Sequence, residues 1–429
     1  MAKTVAFCTL GCKVNQYETE AMTEMFASSG YDIKNFEDVC DIYIINTCTV
    51  TGMSDKKSRQ MIRRAKHNNP DSIVAVVGCY SQVSPEEVAK IEGVNLVIGT
   101  KERKNIVELV EKCSKDKLIT KVEDALKNRE YEDIWVTTYD DRTRAYVKIE
   151  DGCTEFCTYC IIPFARGPVR SRPMDEIVKE VERLANNGFK EVVLTGIHIG
   201  SYGRDLKDAS LIDVIEEVHK VDGICRIRLG SVEPRTLTEE FISRISKLKK
   251  VCDHFHISLQ SGCDETLQRM NRKYSTDEYY ESVKLLRSYF DNPAITTDIM
   301  VGFAGETEEE FDKSLAFMRK VGFAEAHVFA YSIRKGTKAE KMPNQVSPQN
   351  KDIRSKKMAE LCNKMQREFL DNLLGKTLSV LVERNIGDNF YEGHTSNYVK
   401  VHIKSEIDLS HQIVEVQIKE QKDGILYSY

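Results

Sequence analysis

Residues 151–167 read DGCTEFCTYCIIPFARG and place Cys153, Cys157 and Cys160 in a C-x3-C-x2-C run. Three thiolates so close together can hold a metal, but no fourth ligand stands nearby. A bacterial ferredoxin run would bring another cysteine three residues later with proline after it, whereas here IIPF follows Cys160. On a four-iron, four-sulfur cluster, three thiolates leave one iron without a protein ligand, free to chelate a substrate or cofactor. The competing reading is a three-cysteine zinc site completed by a distant histidine, or a chance group of buried thiols.

A second set is dispersed. Cys12 follows the run FCTLG, Cys48 follows DIYIINT and Cys79 follows SIVAVVG, each beside turn residues and each behind a predicted strand. In a parallel sheet such loops share one edge, where ligands of open α/β sheets bind, so three thiols distant in sequence can converge there. Topology alone leaves that convergence and simple burial equally open. Cys8, Cys40, Cys113, Cys225, Cys252, Cys263 and Cys362 read as small hydrophobes.

The elements that must position these residues alternate regularly. Over residues 1–115, β-branched runs (KTVAFC, DIYIIN, SIVAVVG, NLVIG) alternate with amphipathic stretches, the rhythm of an open parallel α/β domain. Residues 113–143 are charge-rich and less regular, a connection with room for an edge strand. Over 139–370 six further strands, near 145–149, 191–196, 225–230, 254–260, 294–302 and 325–332, predict a partial (βα)6 barrel two units short of closure, with one side open. The cysteine loop follows the first of these strands, at the end of a barrel where chemistry collects. A long helix near 349–374 precedes short alternating strands over 375–429, which predict a small antiparallel β-barrel. The fold class is therefore α/β with a β appendage.

Polar and glycine-rich segments follow the barrel strands. Gly196 in LTGIHIG, Ser231 and Glu233 in LGSVEP, and Gly302, Gly305 and Glu306 in DIMVGFAGET are candidates for contacting a cofactor, as a set rather than singly.

A chain of 429 residues implies two or three domains, and a formal charge of −5 excludes wholesale wrapping of nucleic acid, leaving local basic patches. Lys56, Lys57, Arg63 and Arg64 form one such patch in DKKSRQMIRRAK, and Arg166, Arg170 and Arg172 form another in PFARGPVRSRP; both are candidate phosphate contacts. Residues 376–429 carry a net −2, so RNA recognition there would fall to aromatics such as Phe390, Tyr391 and Tyr398, which could equally be core. Thirteen cysteines, an odd number, suit metal binding in a reducing compartment better than a disulfide framework. With no stretch approaching about 18 apolar residues and no apolar leader, a cytoplasmic protein without membrane spans is expected.

At this point the C-x3-C-x2-C loop on a six-unit barrel resembles the radical S-adenosylmethionine (SAM) enzymes. That resemblance implies a [4Fe–4S] cluster on Cys153, Cys157 and Cys160, SAM chelated to its open iron, and cleavage of SAM to a 5′-deoxyadenosyl radical. Gly196, Ser231, Glu233, Gly302 and Glu306 would cradle SAM. With TLGCKVNQYETE, INTCTV and GCY added, essentially the whole chain resembles the methylthiotransferase branch, whose fold is an α/β domain, a barrel and a C-terminal TRAM domain. The branch implies a second [4Fe–4S] cluster on Cys12, Cys48 and Cys79, whose open iron carries the sulfur or methylthio group. One SAM then supplies a methyl group and another the radical that abstracts hydrogen from an unactivated C–H. Side-chain acid–base chemistry cannot do this, so no catalytic His or Glu is assigned.

Lys13-Val14-Asn15 after Cys12 resembles the branch acting on N6-threonylcarbamoyladenosine more than those acting on isopentenyladenosine or on an aspartate of a ribosomal protein. It implies methylthiolation at C2 of that nucleoside at position 37 of tRNA. The anticodon stem-loop, an electron donor and a sulfur source would be the partners, with the oligomeric state open. From another class, a non-catalytic zinc-containing RNA-binding protein is the alternative.

Overall fold

Six runs rich in β-branched residues pair side by side at the start of the chain: β1 (Thr4–Thr9), β2 (Asp32–Lys34), β3 (Ile42–Thr47), β4 (Ile73–Gly78), β5 (Leu96–Ile98) and β6 (Ile119–Lys121). All are parallel, in the order β2-β1-β3-β4-β5-β6. In this computed structural model, residues 2–114, 117–137 and 143–429 are described. The boundary residues 115 and 139 lie outside them. β3 and nearly all of β4 are buried along their length, as expected of central strands with apolar clusters on both faces. β6 shows that the connecting segment does contribute an edge strand. β2 is an addition to the elements predicted.

Three helices place the N-terminal cysteines: α1 (Lys13–Ser28), α2 (Gly52–Asn68) and α3 (Cys79–Val83), the last not predicted. α1 is buried on two sides. Met22 and Phe26 enter the core of the first sheet, while Tyr17 and Ala21 enter the core of the barrel. A helix sandwiched this way cannot show a single apolar stripe.

The barrel strands are β7 (Arg144–Lys148), then the short antiparallel pair β8 (Glu150–Asp151) and β9 (Arg170–Ser171), then β10 (Glu191–Thr195), β11 (Arg226–Leu229), β12 (His254–His256), β13 (Ala294–Val301) and β14 (Glu325–Ala330). β7, β10 and β11 form one parallel set and β12, β13 and β14 another, linked by the parallel bridge Val232 to Ile257. β12 is shorter than the predicted 254–260, because Gln260 turns into positive φ (69°) and keeps only a bridge to Ile299.

The helix Pro348–Asp371, capped by the Ser347 side chain, lays Met358, Leu361, Cys362 and Met365 on the barrel core. The last sheet comprises β15 (Thr377–Gly387), β16 (Phe390–Thr395), β17 (Lys400–Lys404), β18 (Ile413–Gln417), β19 (Glu420–Lys422) and β20 (Ile425–Ser428), in the order β18-β15-β16-β17-β20-β19. It is antiparallel except for the parallel pair of β17 and β20, a departure from the all-antiparallel expectation.

Between the first domain and the barrel lies a buried knot of charge. Glu18 of α1 forms ion pairs with Arg103 (2.6 Å), Lys148 (2.9 Å) and Arg166. Asp151 pairs with Lys148 (2.8 Å), and with Arg166 and Arg170 (both 3.3 Å). Arg172 pairs with Glu180, and the Tyr17 hydroxyl donates to Ile134 O at 2.7 Å. The expectation that Arg166, Arg170 and Arg172 contact phosphate is thereby corrected. They are 0, 2 and 0% exposed, and carboxylates from distant elements hold their guanidiniums in the interior. Burial alone would raise the pKa of Glu18, but Arg103, Arg166 and Lys148 overcome it and hold the carboxyl at about 2.

A carboxylate whose folded pKa is depressed contributes stability that is complete above its unfolded value, here 4.5, and is lost as pH falls toward about 2. Denaturant titration of the cluster-free chain should therefore show a steeper acid loss over that window for the wild type than for Glu18→Gln. Glu18→Ala, which leaves three buried cations to Asp151 and Glu132 alone, should cost about 3–5 kcal/mol at neutral pH.

Candidate active site

The C-x3-C-x2-C loop leaves β8 and returns through the helix Ile162–Arg166 into β9. Its first turn requires glycine: at Gly152 (φ +94°) an added Cβ would lie 2.0 Å from Pro168 O. Cys157 Sγ accepts from Arg272 Nη1 at 3.3 Å, and Cys160 Sγ accepts from Ile162 N at 3.4 Å. Burial pushes Cys160 up to about 12, with repulsion from Cys157 adding to it, and burial together with Cys160 and Cys157 also raises Cys153. The thiols thus sit close enough to repel one another as anions, which favours a cationic centre between them.

Beside this loop is a polar group that the sequence did not announce. Arg272 also donates to Glu233 at 2.6 Å, Glu233 lies 3.3 Å from His198 Nε2, and His198 N donates to Glu150 at 2.7 Å. Burial would raise Glu233, but the His198 hydrogen bond and Arg272 hold it at about 2, while burial pushes Glu150 up to about 8. An ionised carboxylate and a guanidinium side by side suit a ligand carrying both an amino and a carboxylate group. Among the described residues, Glu155, His198 and Glu233 are the only set of three candidate donors within 4.8 Å of one another. The sulfurs of each cysteine set stand wider than that, whereas one ion with Zn–S bonds of about 2.3 Å would draw them closer.

Of the expected cofactor contacts, Glu233 is in this group and Ser231 is exposed just beyond β11. Gly196 makes room for Glu150, whose Oε2 would be 2.7 Å from a Cβ there. Glu306 accepts from Gly302 N and Arg354, both at 2.7 Å and both through one carboxylate oxygen, so it fixes its own turn against the long helix. Gly302 (φ +68°) belongs to that turn. Arg272 and Glu150 were missed because they sit in no motif, and His198 was passed over within LTGIHIG; only the fold brings them together beside the Cys157 loop.

The dispersed cysteines do come to one edge. Cys12 immediately precedes α1, Cys48 opens the loop after β3 and Cys79 opens α3 after β4. A Cβ on Gly11 would lie 2.9 Å from Cys48 Cβ and 3.2 Å from its Sγ, so the first loop can touch the second only with glycine there. Arg166 Nε donates to Cys79 Sγ at 3.3 Å, and its Nη2 donates to Asn15 Oδ1 at 2.9 Å. Cys12 Sγ donates to the same Asn15 oxygen at 3.5 Å. Burial pushes Cys79 up to about 12; Arg166 opposes this and Cys48 and Cys12 add to it. Three soft donors beside a fixed cation suit an iron–sulfur cluster with one open iron.

A cavity of about 650 Å³ has walls from all three regions, including Lys13 next to Cys12, Ser231 and His256 of the barrel, and Tyr398 of the last sheet. Tyr398 fastens that sheet in place. Its hydroxyl accepts from Arg144 at 2.8 Å, and the Arg144 and Arg228 guanidiniums stand 4.9 and 4.6 Å from its ring centre. Tyr391 is core and Phe390 half-buried. Lys56, Lys57, Arg63 and Arg64 are exposed on α2, with Arg64 paired to Glu37. The start of that helix is tied to the barrel by Asp55 and Arg334.

Comparison with known proteins agrees with this geometry. Residues 147–318 match the radical SAM superfamily, and residues 4–99 match an uncharacterized protein family, UPF0004. The chain is 42% identical to the threonylcarbamoyladenosine tRNA methylthiotransferase MtaB of Bacillus subtilis, over 97% of this chain and 93% of that protein. It is 36% identical to the tRNA-2-methylthio-N(6)-dimethylallyladenosine synthase of Caldicellulosiruptor saccharolyticus, over 99% and 92% respectively. The fold is similar to that of a radical S-adenosylmethionine methyltransferase, TsrM, from Kitasatospora setae (TM-score 0.58, 14% identity, 90% of this chain and 79% of that chain).

If each cysteine set takes one four-iron cluster, anaerobic reconstitution should load about eight irons and eight sulfides on the wild type. Replacing Cys12, Cys48 and Cys79 together by alanine should leave about four. Stoichiometric zinc without iron would contradict both sites.

Proposed function

The chain belongs to the radical SAM tRNA methylthiotransferases, and we propose that it inserts a methylthio group at C2 of N6-threonylcarbamoyladenosine at position 37 of tRNA. One observation carries this reading: two separate cysteine triads, one at the edge of an open α/β sheet and one in the loop after the first barrel strand, are tied together by Arg166, which ends the helix after Cys160 and donates to Cys79 Sγ at 3.3 Å. The choice of nucleoside is supported by the near full-length relative named for threonylcarbamoyladenosine.

Cys153, Cys157 and Cys160 would hold the [4Fe–4S] cluster that binds SAM, and Cys12, Cys48 and Cys79 a second one. When bound, these groups supply the sulfur, the methyl group and the radical chemistry that an unactivated C–H demands. The protein's own residues do the positioning. Arg272 and Arg166 donate to a thiolate in each triad, which favours the anionic ligand and fixes its direction. Glu233, Ser231 and Gly196 line the SAM side, and Arg272 holds Glu233 ionised there.

The anticodon stem-loop would approach over α2, where Lys56, Lys57 and Arg63 are exposed and can neutralise phosphates, making binding salt-dependent. An electron donor and a sulfur source complete the set of partners. No helix among the described residues is long and apolar enough to cross a membrane; the reading places the chain in the cytoplasm with its tRNA.

Nucleosides from tRNA of a strain lacking this gene, analysed by mass spectrometry, should lose the 2-methylthio form and accumulate N6-threonylcarbamoyladenosine, with complementation restoring the first. An unchanged nucleoside would overturn the substrate assignment. Loss of the methylthio form of dimethylallyladenosine or isopentenyladenosine instead would move the chain to the related branch.

A further inference from the structure

Among the described residues, the cavity that all three regions line holds one lysine without a carboxylate partner. Lys13 lines it, immediately after Cys12, and keeps solvent contact although protein surrounds much of it. Among the described residues Lys13 makes no ion pair and no hydrogen bond to a side chain. The other cations around it are matched. Arg144 and Arg228, the cations that act on it most strongly, are paired with Glu383 and Glu191. Lys400 is 3.0 Å from Glu392, and His256 is 3.3 Å from Asp298, which lines the cavity together with a second barrel acid, Glu325. An exposed ammonium on a cavity wall without a counter-ion is free to pair with an anion that a ligand brings.

The reaction fixes where that anion would fall. C2, N1 and the N6 substituent of adenine lie along one edge of the base. If C2 faces the Cys12, Cys48 and Cys79 triad to receive sulfur, the N6 group must lie against the same loop. In N6-threonylcarbamoyladenosine that group ends in a free carboxylate; an isopentenyl group there has no charge at all. A cavity of about 650 Å³ accommodates a modified nucleoside, which falls within the usual range of ligand pockets.

We propose that Lys13 is a specificity-determining residue whose ammonium receives the threonyl carboxylate of the substrate nucleoside. This rests on the substrate reading above. The ion pair would form inside a partly desolvated cavity, where a charged hydrogen bond counts for more than at the surface. An uncharged N6 substituent would leave Lys13 unpaired, so the same residue rejects the neutral nucleoside as well as accepting the charged one.

The test compares two anticodon stem-loop RNAs, one bearing N6-threonylcarbamoyladenosine and one in which the threonyl carboxylate is a carboxamide. Affinity of each is measured for wild type, Lys13→Met and Lys13→Arg. The wild type should prefer the carboxylate by roughly tenfold or more, Lys13→Met should bind both RNAs alike, and Lys13→Arg should keep most of the preference. Because the ratio is taken within each protein, a general loss of folding or cluster loading cancels. Equal affinity in the wild type, or an undiminished preference in Lys13→Met, overturns the inference. Product analysis on the carboxylate RNA separates the two levels: methylthiolation without a charge preference leaves the substrate reading standing and removes only the role of Lys13, whereas no product removes both.

Discussion

The buried carboxylate of Glu18 is the interaction on which the rest of the arrangement depends. It lies on α1, six residues beyond Cys12, and meets Arg103 from its own domain, Lys148 from the barrel wall and Arg166 from the helix that follows Cys160. Ion pairs removed from water gain little net stability over apolar packing, but breaking one partner is expensive. That asymmetry makes such a knot a device for fixing geometry: any other docking of the first domain on the barrel would strand buried charge. Arg166 carries the consequence to the chemistry, since it holds Glu18, donates to Cys79 Sγ and orients Asn15 beside Cys12.

The other contacts serve the same end. α1 is shared between two hydrophobic cores, so the N-terminal domain cannot slide without opening both. Asp55 and Arg334 pin the start of α2 near the Cys48 loop, and Tyr398 under two guanidiniums brings the last sheet over the cavity. A partial barrel leaves a side uncovered, and here the neighbouring domains supply the missing walls. The site is consequently a property of the whole chain, with no region holding a complete set of groups by itself.

Local pattern made much of this legible. Strand runs and the helices between them follow from β-branched clusters, and a cysteine behind each of three parallel strands already points to one sheet edge. What the sequence hid is pairing across distance. Arg166, Arg170 and Arg172 look like a phosphate patch because nothing in the run itself reveals that Glu18, 148 residues from Arg166, Asp151 and, for Arg172, Glu180 take up their charges. The tie of Glu306 to Arg354, on a helix 48 residues on, was hidden for the same reason. Arg272 was invisible because a single arginine after a helix has no signature until Cys157 is placed against it. The short strands β19 and β20 are too brief for periodicity to declare them.

The central claim is that two triads, held in fixed relation through Arg166, do separate work. The most direct measurement is SAM cleavage and RNA methylthiolation assayed side by side in reconstituted Cys48→Ala. The account predicts that this variant still releases 5′-deoxyadenosine under reducing conditions while forming no methylthiolated nucleoside, and that Cys157→Ala does neither. Equal loss of both activities in Cys48→Ala, with the barrel cluster still loaded, would contradict the division of labour.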